Sequence, residues 1–181
     1  HTRSYDVTGV QTCALPIFWS HLEGVVREAA EKFVESRVRE GENLKKDLLA
    51  KLSAMSDIVA YIEEKSPQII EDYKARLIEK VDELAINTQI DDQRIAAEVT
   101  MYADKVCVDE EVVRLRSHID STIKILTEGG AVGRKLDFIV QEMNREANTI
   151  LSKANSLIIS DKGIDLKTEI EKVREQIQNI E

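Results

Sequence analysis

One run, Gly133 to Asn155 (GRKLDFIVQEMNREANTILSKAN), combines side-chain types and spacing that could do chemistry. At about 100° per residue, Arg134, Asp137, Gln141, Asn144, Arg145 and Asn148 fall along one arc of a helix. Guanidinium forks, amides and a carboxylate on one line suit phosphate, amide or metal-water contacts, whereas Lys and Glu would serve simple hydration. The same arc also suits a polar seam between two helices, and residue type alone does not choose. Glu142 and Glu146, four apart and beside Lys135, form a like-charged pair able to hold a divalent cation through water. On an ordinary surface such a pair is mildly destabilising. Asp137, on the flanking arc, can join them. His118, in RLRSHID, borders an apolar stripe, where it can exchange protons near neutral pH or act as a hydrogen-bonded structural group. Phe138 projects beside the polar arc and suits a contact with another chain or stacking on a base.

These groups need helices to position them. Leu136, Val140, Met143, Ala147, Ile150, Leu151, Ala154 and Ile158 gather on one side of the same stretch, as a core-facing seam would. Upstream, Leu22, Val25, Ala29 and Phe33, then Leu44, Leu48, Leu52, Met55, Val59 and Ile62, follow 3–4 spacing, with a polar hinge near Gly41. Ser66-Pro67 reads as a helix restart, with Ser as N-cap and Pro at the first helical position. A second helix then runs to about Leu84 and folds back as an antiparallel hairpin. Residues 86–90 read as a connection, and a helix follows from Asp91-Asp92 to about Val106. Asp109 is expected to cap the next helix, which carries Leu115 and Ile119 and ends at Gly129-Gly130. A loop near Ser160–Gly163 precedes the last amphipathic stretch, Leu166 to Ile180. The expected class is all-α: a long antiparallel hairpin over 18–90, then a bundle of about four helices over 91–181.

Bulk composition agrees. The 181 residues include only 7 Gly and 2 Pro, with 33% charged and 4% aromatic, a balance that favours long helices and aliphatic seams. A net charge of −9 argues against a simple electrostatic nucleic-acid binder but leaves room for an acidic nuclease whose positive field comes from metal or another region. No run has the length of a membrane span, and no Gly-rich phosphate loop, zinc spacing or nucleophile motif occurs. The first seventeen residues, HTRSYDVTGVQTCALPI, show no periodicity and resemble the translation of a sequencing adapter. They are set aside as non-native, which leaves Cys107, between Val106 and Val108, as the sole cysteine. It is expected to be an inert buried thiol of a reduced, cytoplasmic protein.

The Gly133–Asn155 run, together with REGENLKKDLLAKL (39–52), EEVVRLRSHIDSTIKIL (110–126) and LKTEIEKVREQIQNIE (166–181), resembles the YicC/YloC-like family of bacterial endoribonucleases. The likeness extends from Trp19 onward and corresponds to the C-terminal portion of the family, reaching its usual end, with the N-terminal domain missing. It implies a metal-dependent phosphodiesterase acting on RNA, using manganese or magnesium, cytoplasmic and homo-oligomeric, a hexamer when intact. Under the resemblance, Asp137, Glu142 and Glu146 hold the cation and its activated water. Arg134 and Arg145 grip the scissile phosphate, Gln141, Asn144 and Asn148 line and orient it, and His118 transfers protons. A further ligand is expected from a neighbouring helix or subunit, with Glu98 a candidate. The competing expectation is a non-catalytic oligomerisation or RNA-docking module, with catalysis supplied by the missing domain. The truncated chain alone is expected to be inactive.

Overall fold

Aliphatic residues at 3–4 spacing, with little glycine or proline to interrupt them, make helices. The computed structural model describes residues 8–84 and 92–180 and contains α1 (Thr8–Leu84), α2 (Asp92–Val106), α3 (Asp109–Glu128), α4 (Gly133–Lys153) and α5 (Leu157–Ile177). No strand occurs among the described residues, so the class is all-α. The connection read at 86–90 lies outside them. Among the described residues no helix is long and apolar enough to cross a membrane.

The hairpin turn expected at Ser66-Pro67 does not form, and α1 runs on through it for 77 residues. Ser66 turns its hydroxyl back to donate to the Ile62 carbonyl at 2.7 Å instead of capping a new helix. Pro67 removes one helical N–H, but it is exposed, so solvent can serve the carbonyl of Glu63 that loses its donor. Helical backbone also begins at Thr8, inside the stretch expected to lack periodicity.

The chain divides into two compact units, His1–Leu44 and Lys45–Glu181. In the first, Phe18, Trp19, Val25, Val26, Phe33, Val34 and Val38 are all exposed. Ion pairs one turn apart, Arg27 with Glu23 at 3.0 Å and Lys32 with Glu28 at 2.6 Å, support the helix.

In the second unit, Leu48, Leu52, Met55, Val59 and Ile62 of α1 are completely buried. With them in the core are Leu115 and Ile119 of α3, Leu136, Met143 and Ile150 of α4, and Leu166 and Ile170 of α5. α3 runs antiparallel to α4, as two cross-links show: Glu111 to Lys153 at 2.8 Å and Arg114 to Glu146 at 3.7 Å. Arg116 of α3 pairs with Glu63 of α1. Lys162 of α5 sits 5.9 Å from the centre of the Tyr61 ring.

Three local expectations change. Asp109 is the first helical residue of α3, not its cap; Val108 holds that position, and Asp109, Glu110 and Glu111 place charge in the first turn, where the helix dipole favours it. Gly129 (φ 74°) and Gly130 (φ 96°) do end α3, in a backbone region other residues avoid. The loop expected near Ser160–Gly163 lies earlier, between Lys153 and Leu157, and Gly163 is buried inside α5. A Cβ at Gly163 would stand 2.6 Å from Leu151 Cδ2, so the glycine allows α4 and α5 to approach. The earlier break also moves Ile158 off the α4 seam to an exposed position on α5. Cys107 is exposed rather than buried, because it lies in the two-residue link between α2 and α3, where Val108 takes the inward position.

Candidate functional site

α4 carries the candidate residues, and its apolar side behaves as the periodicity requires. Leu136, Val140, Met143, Ala147 and Ile150 are 0% exposed, which fixes the rotation of the helix and therefore every other direction on it. Relative to that buried line, two distinct polar surfaces emerge.

On the side toward α5, Gln141 Nε2 donates to Asp137 Oδ2 at 2.8 Å. Asn144 Nδ2 donates to Glu171 Oε1 on α5 at 3.3 Å, and Glu171 Oε2 lies 3.6 Å from Arg174. Asn144 Oδ1 is buried with no hydrogen-bond partner among the described residues. Arg134 and Asn148 are exposed on the same arc. On the side toward α3, Glu146 is 5% exposed and faces Arg114 Nη1 at 3.7 Å; Arg114 also binds Glu110 one turn earlier on its own helix. One turn from the Arg114–Glu146 pair lie His118 on α3 and Glu142 on α4, both half-buried. Glu142 Oε2 is 3.7 Å from Arg145, whose side chain is 74% exposed. Phe138 points outward at 64% exposure between the two surfaces.

The nine candidates therefore divide. His118, Glu142 and Glu146 follow the α3–α4 seam, whereas Asp137, Gln141 and Asn144 follow the α4–α5 seam. Helical geometry gives the reason. Nine residues separate Asp137 from Glu146, which turns one about half a circle from the other and moves it about 13 Å along the axis. A single cation cannot bridge them on one helix. Each of the three carboxylates is instead engaged locally, Asp137 by Gln141, Glu142 by Arg145 and Glu146 by Arg114. Among the described residues no three His, Cys, Asp or Glu side chains are placed to share a metal ion. The manganese or magnesium site that the resemblance implies is thus not assembled by these residues alone. Glu98 does not complete it, because its carboxylate accepts from the Tyr73 hydroxyl at 3.3 Å between α1 and α2.

Several polar partners had no place in the sequence reading. Arg114 stands one turn before His118, a spacing visible in RLRSHID, but nothing in the sequence says that α4 faces it. Glu111, 5% exposed, is held by Lys153, and its second oxygen is buried without a hydrogen-bond partner among the described residues. Glu171 and Arg174 look like ordinary surface residues until α5 is packed against α4.

The fold and its polar seams define an all-helical protein with one chemically rich helix at the centre of a bundle. Comparison with known proteins is specific. The family described as "Endoribonuclease YicC-like, C-terminal" matches residues 62–181, which include every candidate residue above. The chain is 40% identical over 166 residues to the probable endoribonuclease YicC of Clostridioides difficile, covering 91% of this chain and 57% of that protein. It is 38% identical over 149 residues to the probable endoribonuclease YicC of Haemophilus influenzae, covering 82% and 51% respectively. The chain belongs to the YicC-like endoribonuclease family, and it spans about half the length of these curated relatives.

Proposed function

We propose that this chain is the C-terminal region of an endoribonuclease that hydrolyses phosphodiester bonds in RNA. Family membership across α2–α5 carries the reading, since the similar proteins are named probable endoribonucleases. In this reading RNA lies along the outward face of α4. Arg134 and Arg145 contact phosphate oxygens as charged forks, with Gln141 and Asn148 beside them. Asn144, held by Glu171, orients that edge. His118 and Glu142, one turn along the α3–α4 seam from the buried Arg114–Glu146 pair, are the groups for proton transfer. A divalent cation bound at Asp137, Glu142 or Glu146 would supply charge neutralisation and an activated water, but it would need ligands from a second copy or from outside these residues. Incompleteness within one chain, together with the outward Phe138, supports a homo-oligomer, and the hexamer in the intact protein rests on the family resemblance alone. A reduced cytoplasmic setting suits the free, exposed Cys107 thiol.

A second reading, RNA docking or oligomerisation without catalysis, is favoured by one observation: the separate engagement of Asp137, Glu142 and Glu146. Manganese-dependent cleavage of a structured RNA by the intact protein separates the two. If this region is catalytic, Glu142→Ala and His118→Ala each lower the rate at saturating RNA by about 100-fold or more. If it only docks RNA, both variants cleave at the normal saturated rate, and Arg134→Ala/Arg145→Ala raises the RNA concentration required.

A further inference from the structure

α2 is held to the rest of its unit differently from the other helices. α3 and α4 each bury seven residues and α5 buries six, whereas α2 buries only Tyr102, at 8% exposure. Ile95, Val99, Ala103 and Val106 on α2 are half-buried, and Met101 is 62% exposed. An amphipathic helix with so little buried surface gains little from packing and must depend on a few specific contacts.

Those contacts centre on two tyrosines. The Tyr102 ring lies on the Tyr73 ring of α1 with centroids 3.6 Å apart and planes 8° from parallel. Tyr73 returns its hydroxyl to Glu98 of α2, at 3.3 Å. The Tyr102 hydroxyl accepts from Asn155 Nδ2, also at 3.3 Å, in the link between α4 and α5. Tyr102 thus joins α2 both to α1 and to the α4–α5 link. Immediately after α2, Cys107 is exposed and Val108 is 2% exposed, so α3 is anchored one residue beyond a free position.

We propose that α2 is a releasable arm, fastened by the Tyr73–Tyr102–Asn155 clasp and able to undock as a unit about Cys107 while α3, α4 and α5 stay packed. Release uncovers the Tyr73 ring and frees the Asn155 amide of its bond to Tyr102, two residues beyond the Lys153 that holds Glu111 in the α3–α4 seam. The inference rests on the burial pattern and the clasp, and it stands whether or not this region cleaves RNA.

Amide hydrogen exchange on the full chain, resolved by peptide, tests it. In the unmodified protein α2 should exchange at least about tenfold faster than α3–α5, as an independently opening unit does. Tyr102→Ala should raise exchange in α2 by about tenfold more, the scale of losing a stacked aromatic contact, and leave α3–α5 within about twofold. Asn155→Ala removes one hydrogen bond to the clasp, and should raise α2 exchange by about threefold. This milder variant, with the unmodified protein, decides the question if Tyr102→Ala does not fold. One common exchange rate for α2 and α4 in the unmodified protein would overturn the proposal. So would Asn155→Ala or Tyr102→Ala accelerating α3–α5 as much as α2.

Discussion

Replacing Arg114 with methionine removes the cation that faces Glu146 but keeps a long apolar stem in the seam. Glu146 is left 6% exposed with its charge uncompensated, since the Arg114 guanidinium at 3.7 Å is the cation placed opposite it. One-sided loss of a fully buried pair costs about 3–5 kcal/mol, whereas exposed pairs contribute less than about 1 kcal/mol. The Arg114 side chain is 51% exposed, so water already screens one end of this pair. The expected loss therefore lies between the limits, at about 2 kcal/mol. Urea unfolding followed by circular dichroism measures it as a fall in midpoint at unchanged slope. Glu146→Gln should cost less, because a neutral amide tolerates burial better than an unpaired carboxylate. The double variant should then be more stable than the sum of the two losses predicts, by about 1 kcal/mol. Strict additivity, or a loss below about 0.5 kcal/mol for Arg114→Met, would refute a coupled pair across the α3–α4 seam. The same Glu146→Gln change separates structure from the proposed chemistry: if it folds normally and RNA cleavage by the intact protein is unchanged, Glu146 serves the seam alone.

Three other outcomes follow from the same structure. Gly163→Ala gains about 1 kcal/mol of helix propensity but drives a Cβ to 2.6 Å from Leu151, an overpacking cost of about 1–3 kcal/mol, so thermal unfolding should show net destabilisation; a stabilised variant would contradict the close approach of α4 and α5. For RNA bound along α4, Arg134→Ala/Arg145→Ala should reduce the magnitude of the slope of log affinity against log salt by about 1.4, the release of two counterions from single-stranded RNA, and an unchanged slope would move RNA off this face. Tyr73 is raised above its ordinary value of 10.0, first by burial and then by the charge and hydrogen bond of Glu98. The neutral phenol therefore stabilises the docked state fully below pH 10.0, and the contribution is lost as pH rises through the higher folded value. A phenolate absorbance titration should lose a late-titrating component in Tyr73→Phe, and loss of an ordinary component instead would contradict the Tyr73–Glu98 contact.

How much of this was legible in the sequence depended on whether the information was local. The α4 stripe of Leu136, Val140, Met143, Ala147 and Ile150 follows from spacing alone, and each member is buried. The Gly129-Gly130 stop needed only the conformational range of glycine. Ser66-Pro67 misled because a local restart signal competes with the burial of Leu48 to Ile62 on the same helix, and an exposed proline costs that helix little more than one hydrogen bond. Gly163 reads as a loop breaker until Leu151 of another helix is placed over it.

The candidate site shows the same division more sharply. Which α4 residues are polar could be read directly, but their partners Arg114, Glu171 and Lys153 are set by the order in which α3, α4 and α5 pack. One part of that outcome was nevertheless available in advance. Asp137 and Glu142 are five residues apart and turn by about 140°, while Glu142 and Glu146 differ by only about 40°. A helix able to present Glu142 and Glu146 to one neighbour must direct Asp137 toward another. Any cation shared by all three would need a second helix or a second chain to bring the carboxylates together. On the proposed reading, proton transfer would therefore fall to the α3–α4 seam and RNA contact to the α4–α5 arc of the same helix. Asp137→Asn and Glu142→Gln should accordingly act on different steps, the first on RNA affinity and the second on turnover.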